Sequence, residues 1–156
     1  MRNPESEPGV AIWNLEKMKH IPESHLDLID GPYVVALSTL MPDGQPQTTP
    51  VWCNRDGEFI FINVMKGFRK EKNMQLNPHV SILAYDPKDP LRSIEIRGQV
   101  VEMTEMGAIE HNDQLAQLYL GNPNARFFGD AVPAELQTRY TPIRIKIAPT
   151  HLRVEC

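Results

Sequence analysis

The segment Asn63 to Asn73, NVMKGFRKEKN, holds four basic residues, Lys66, Arg69, Lys70 and Lys72, and one acidic residue, Glu71. The whole chain has 16 Lys plus Arg against 20 Asp plus Glu, a formal net charge of −4. The segment is therefore a local reversal of sign. Its basic residues straddle Gly67, which opens a short helix expected over Phe68 to Leu76 and stopped at Asn77-Pro78. Free backbone N–H groups and the positive end of the helix dipole would point at the same place. Lys70 and Asn73 are three apart and share a helix face. Together these make a phosphate cradle. Two ordinary alternatives stand beside it. One is a solvated basic face. The other is pairing of Arg69 and Lys70 with carboxylates such as Glu95 or Asp86 at an interface.

A second stretch, Gln47-Thr48-Thr49-Pro50-Val51-Trp52, reads as a strand interrupted by proline. Unpaired backbone groups there can hydrogen-bond the polar edge of a flat heterocycle, while Val51 and Trp52 offer apolar contact. Its ordinary alternative is an edge strand with a core tryptophan.

The elements around these stretches arrive mostly as hairpins. Tyr33 to Leu40 reads as a buried strand, and Met41 to Gly44 as a turn with Pro and Gly in their preferred places. Gln45 to Cys53 returns as a strand whose prolines suggest an edge. Asn54 to Gly57 turns into a third strand, Glu58 to Val64. His79 to Tyr85 is a fourth and Arg92 to Met103 a fifth, with Ile94, Ile96, Gly98 and Val100 on one face. Ile143, Ile145 and Ile147 alternate with Arg144 and Lys146 in a sixth, which Leu152 to Val154 extends. A short helix is expected over Glu23 to Asp30. Another begins at Thr104 as a cap and runs to about Leu120, with Gly121 past its end. Residues 122–140 read as irregular, with a short helix near Pro133 to Thr138. Six antiparallel strands of this size close into a small barrel or a sandwich. YVVAL and FIFI are apolar on both faces, so their outer faces need a cover, either inserted helices or a second copy.

At 156 residues the chain is one domain, residues 21–156, behind a polar arm, residues 1–20, with a short amphipathic piece around Trp13 to Met18. Apolar residues make up 41% and charged residues 23%, as in soluble globular proteins. No apolar run approaches a membrane span, and the N-terminus lacks a signal-peptide pattern. Cys53 and Cys156 form no disulfide framework, which points to a reducing cytoplasm. The nine glycines include no G-x-G pair and no Walker spacing. The five histidines and two cysteines show no local metal-ligand spacing, so no metal is expected. A nucleic-acid role is not expected, since no aromatic platform is interleaved with the basic cluster. No side chain is singled out as catalytic. Tyr85, Tyr119, His79 and His111 are proton donors by type, and each also has a structural reading.

The order DGQPQTTPVWCNRDGEFIFINV, then KGFRKEKNMQLNPHVSILAYDPKDP, then IEIRGQVVEM and a helix ending QLYLG resembles the pyridoxamine 5'-phosphate oxidase-like superfamily of FMN- and deazaflavin-binding split β-barrels. The resemblance covers about Pro22 to Val154. Within it, RKEKNMQLNPHVSILAYDP followed by IEIRG is most similar to the branch that uses coenzyme F-420. It implies a mainly β fold with inserted helices, a six-stranded antiparallel split barrel of the FMN-binding type. It also implies a homodimer with two cofactor sites at the subunit interface. By this resemblance Lys70 and Asn73 hold the cofactor phosphate, with Lys66 and Arg69 nearby. Gln47, Thr49, Pro50 and Val51 lie along the ring system, and Ile62 and Asn63 adjoin it. Leu91-Arg92-Ser93 would reach the site from the other subunit. Many relatives carry an aromatic pair there. Arg92 instead adds a cation suited to a phosphate or a polyglutamate tail. The implied function is F-420-dependent hydride transfer to a small organic substrate, by binding, orientation and exclusion of water. The alternatives are an FMN-dependent oxidoreductase, of flavin reductase or pyridoxamine phosphate oxidase type, and a non-catalytic flavin or tetrapyrrole carrier. Vitamin B6 oxidation would need a second basic site for the substrate phosphate, for which Arg139, Arg144 and Arg153 are the candidates.

Overall fold

Val51 and Cys53 are near neighbours in the chain, yet they belong to strands on opposite edges of one sheet. The strands are β1 (Val35–Leu40), β2 (Pro46–Val51), β3 (Cys53–Asp56), β4 (Phe59–Met65), β5 (His79–Asp86), β6 (Asp89–Thr104) and β7 (Pro142–Glu155). Their order is β2-β1-β5-β6-β7-β4-β3, and every pairing is antiparallel. Two residues of chain span at most about 7 Å. The edges β2 and β3 must therefore meet at Trp52, and the sheet curls into a split barrel. This computed structural model describes residues 17–156. The expected amphipathic piece around Trp13 to Met18 falls largely outside the described residues.

The described strands number seven, one more than the six expected. The returning strand Gln45 to Cys53 divides at Trp52, with Val51 on β1 and Cys53 on β4. Pro46 and Pro50 sit on edge strand β2, where a missing N–H costs no ladder bond on the open side.

Alternation places the core. The pattern along β4 alternates half-buried and buried, with Ile60, Ile62 and Val64 inward. Ile94, Ile96, Ile145 and Ile147 complete the interior with Leu37 and Ile82. Gly98 is required where β6 crosses β7, because a Cβ there would stand 2.7 Å from Ala148 O.

The outer faces are covered in two ways. Lys146 Nζ lies 4.1 Å from the Phe59 ring centre and the Arg144 guanidinium 5.3 Å from that of Phe61. The FIFI stretch is thus shielded by the cations that alternate with isoleucine on β7. Val34, Leu83 and Tyr85 on the other side of the barrel are 42–50% exposed.

Three helices are inserted, α1 (Asp27–Asp30), α2 (Arg69–Leu76) and α3 (Ala108–Leu120). The helix expected over Glu23 to Asp30 is a 3₁₀ turn, Glu23–His25, followed by α1. The helix expected to start at Thr104 starts at Ala108 instead. Thr104 ends β6, its Oγ1 accepts the Met106 N–H at 3.1 Å, and Gly107 turns the chain at φ 73°. A threonine beside a left-handed glycine closes a turn before the helix rather than capping it.

Candidate functional site

Helix α2 packs against β1 and β4, and its Lys70 and Asn73 reach Thr49 and Gln47 on β2. Three residues of helix advance about 4.5 Å and two residues of strand about 6.6 Å, so the two rows stay nearly in step. Lys70 Nζ donates to Thr49 Oγ1 at 3.3 Å. Asn73 is 0% exposed and donates Nδ2–H to Thr39 Oγ1 at 3.1 Å and to Gln47 Oε1 at 3.4 Å. Its Oδ1 has no partner among the described residues.

The first turn of α2 holds one carboxylate, Glu71, against the cations of Arg69, Lys70 and Lys72. Phe68 precedes it and provides no side-chain cap. The first intrahelical bond is Lys72 N–H to Phe68 O, which leaves the amides of Arg69, Lys70 and Glu71 ahead of it. Glu71 is buried, and its carboxylate accepts the Gly67 N–H at 3.2 Å and Gln75 Nε2–H at 2.6 Å. Burial lowers the Lys70 pKa. No carboxylate among the described residues pairs with Lys70 or Arg69. Asp86 and Glu95 engage Arg92 at 3.6 Å and Arg97 at 2.8 Å. A half-buried ammonium without a counter-charge, at an uncapped helix start, suits a phosphate.

Next to Lys70 opens a pocket of ≈ 260 Å³. Pro50, Val51, Asn63 and Val64 line its barrel side, and Asn112 and Leu115 its α3 side. Residues Phe127, Phe128, Leu136 and Tyr140 close it. Tyr140 meets the Phe68 ring edge-on at 5.5 Å. Apart from Asn63, Asn112 and Lys70 these walls are mostly apolar and can hold a flat ring away from water.

The sequence-derived residues divide in this geometry. Gln47, Thr49, Lys70 and Asn73 form one hydrogen-bonded group, and Pro50, Val51 and Asn63 line the adjoining pocket. Arg69 is exposed at the same helix start. Lys66 is exposed and reaches Glu105 at 3.1 Å. Ile62 is fully buried in the barrel interior and does not line the pocket. Arg92 does not join this group within one chain. Its guanidinium holds Asp27 at 2.5 Å and the Ser24 carbonyl at 2.8 Å.

Trp52 stacks on Tyr119 at 4.8 Å and 13°. The Tyr119 hydroxyl accepts the Cys53 N–H at 3.0 Å and donates to Tyr33 O at 2.8 Å. It thus satisfies backbone groups freed where β2 gives way to β3, and its pKa is raised by burial and by Cys53. Burial likewise pushes the Cys53 thiol up to about 12, so it is protonated and unreactive. Tyr119→Phe leaves both backbone groups unpaired. The expected loss is about 1–3 kcal/mol in urea unfolding. An unchanged midpoint would contradict this role.

His111 links α3 to β4. Its Nε2–H donates to Asn54 Oδ1 at 2.8 Å, and its Nδ1 accepts Asn63 Nδ2–H at 3.2 Å. Burial first, and the Arg144 charge second, lower its pKa to about 4. The imidazole is therefore neutral near pH 7 and fixes the Asn63 amide. His79 is exposed on β5.

Sequence reasoning did not find Asn112 or the Phe127 to Tyr140 wall. The signal was the aromatic pair Phe127-Phe128 inside an otherwise polar loop. Among the described residues, no cluster of metal-ligating side chains occurs and no helix is long and apolar enough to cross a membrane.

Comparison with known proteins fits this geometry. An F-420 reductase superposes with a TM-score of 0.71 at 26% identity, over 85% of this chain and 98% of that one. A conserved hypothetical protein of Mycobacterium tuberculosis gives 0.61 at 18%, over 89% and 86%. HupZ of Group A Streptococcus gives 0.60 at 19%, over 87% and 98%. No curated protein matches the sequence significantly. The family model described as pyridoxamine 5'-phosphate oxidase matches residues 21–137, a span running from before the barrel's first strand to the wall of the pocket. The curled sheet, the basic helix start against its edge strand and this match agree, and the chain belongs to the pyridoxamine 5'-phosphate oxidase family of flavin-binding split barrels.

Proposed function

We propose that this chain is a coenzyme F-420-dependent oxidoreductase that transfers hydride between the deazaflavin and a small organic substrate. The observation that carries the reading is Lys70, half-buried against Thr49 with no carboxylate partner among the described residues. The similarity to an F-420 reductase supports the choice of cofactor. Lys70, Arg69 and the amides at the start of α2 would hold a phosphate. The β2 backbone with Pro50 and Val51 would lie along the ring. When bound, the reduced cofactor supplies hydride from its ring C5. The protein orients the ring, and the Phe127 to Tyr140 wall keeps water from it. Tyr119 and His111 are committed to structural hydrogen bonds, so no proton donor is assigned.

FMN is the second reading, because the same cradle accepts the phosphate of either cofactor. Arg144 and Arg153 engage Glu102 and Glu155, so they do not converge on a second phosphate site. We further propose a homodimer joined through the exposed apolar residues Val34, Leu83 and Tyr85, with Arg92 reaching the partner's groove. Side-by-side titration with F-420 and FMN, followed by tryptophan fluorescence, tests the reading. Selective F-420 binding at micromolar concentration is expected. Selective FMN binding moves the chain to the flavin reading, and binding of neither overturns both.

A further inference from the structure

Two amides in the pocket are left incomplete by the fold. Asn63 donates Nδ2–H to Ala108 O at 2.8 Å and to His111 Nδ1, which fixes its Oδ1 as the acceptor. That Oδ1 is buried and has no partner among the described residues. Asn112 follows His111 on α3 and is 3% exposed. Its Nδ2 is also buried and has no partner among the described residues. Both residues line the same pocket. Native proteins rarely leave buried amide atoms unpaired, and such atoms are frequently completed by a ligand. Val64, Leu115, Phe127 and Phe128 around them are apolar, and Lys70 is the one charged residue among those lining the pocket. An unpaired acceptor and an unpaired donor among apolar walls complement a neutral group that presents an N–H beside a C=O.

We propose that Asn112, together with Asn63, reads the amide-like edge of a neutral planar heterocycle in this pocket, and that Asn112 is thereby a specificity-determining residue. The inference rests on the cofactor reading above. The edge has two sources of the same chemistry. One is the pyrimidine half of the cofactor ring, whose N–H lies between two carbonyls. The other is a lactam-like substrate.

Asn112→Leu tests this, because it removes the amide while keeping the side chain's size. It also removes an unpaired buried group, so the unfolding midpoint should stay level or rise. The wild type and the variant are titrated with FMN and with FMN methylated at N3. The FMN-loaded proteins are then titrated with isatin and N-methylisatin. If the edge is the cofactor's, the wild type binds N3-methyl FMN at least about ten-fold more weakly, and the variant narrows the gap to about two-fold. If it is a substrate's, the same contrast appears between isatin and N-methylisatin. A wild type selective for F-420 is read instead by an affinity loss of about ten-fold or more for F-420 in the variant. A wild type that binds the cofactor but shows neither contrast, and a variant with unchanged cofactor affinity, overturn this inference alone. A wild type that binds neither FMN nor F-420 overturns the cofactor reading beneath it.

Discussion

Replacing Lys70 by alanine should weaken binding of F-420 or FMN by about 1–3 kcal/mol, roughly five- to 150-fold, the range for losing a charge-assisted hydrogen bond. The fold should hardly notice. Lys70 makes one hydrogen bond, to Thr49, and no ion pair among the described residues, while burial disfavours its charge. Removing an uncompensated ammonium should leave the apo-protein's stability level or slightly higher. This opposition of effects separates a phosphate site from a solvated basic face. On a solvated face, alanine would change neither affinity nor stability appreciably. Calorimetric titration and thermal unfolding of the same variant provide both readings. Loss of stability with unchanged affinity would show that Lys70 is structural.

The second large effect concerns pH. His111 has a folded pKa of about 4 against 6.5 for the free side chain. Because the folded pKa is depressed, the unfolded state binds more protons between these values. Stability is therefore full above about pH 6.5, falls as the pH drops toward about 4, and loses no more from this group below that. The whole effect is roughly 3 kcal/mol. His111→Gln keeps one donor and one acceptor but does not titrate. Urea unfolding from pH 7 to pH 4 should show a shallower loss in the variant, by about one proton's worth of slope. Parallel curves would mean that the imidazole is not held neutral by its setting between Asn54 and Asn63. Loss of this link at low pH should also release the Asn63 amide and loosen α3 from β4.

How far the sequence reveals this molecule differs from one element to another. Strands with strict alternation, such as Phe59–Met65 and the isoleucine ladder of β7, are legible because burial on one face demands a period of two. The basic helix start is legible because Gly67 and Pro78 bracket it and its charge stands out from an acidic chain. The break at Trp52 is not legible. Nothing local distinguishes a strand that continues from one that leaves one sheet edge for the other. That choice is made by Tyr119, whose hydroxyl takes the Cys53 N–H from 66 residues away in the chain. The start of α3 is misjudged for a similar reason, since Thr104 and Gly107 are both credible boundaries until the register of β6 on β7 extends through Thr104.

The candidate site shows the same division. Lys70, Asn73, Gln47 and Thr49 lie in two short segments that a three-residue helical step and a two-residue strand step bring into register. Asn112 and Phe128 reach the site only through the packing of α3 and the loop after it, and the one local signal, the pair Phe127-Phe128 in a polar loop, does not say where that loop packs. Arg92 is the converse. Its segment suggested a role at the cofactor, and within one chain it is held by Asp27 and Asp86.

The central claim is that the start of α2 holds the phosphate of a ring-bearing cofactor lying along β2. FMN and riboflavin share one ring system and differ by the phosphate, so their affinities measured on the same preparation test it directly. The account predicts that FMN binds at least about ten-fold more tightly than riboflavin, and that raising the salt concentration narrows the gap. Equal affinities would contradict the phosphate cradle and with it the assignment of Lys70 and Arg69.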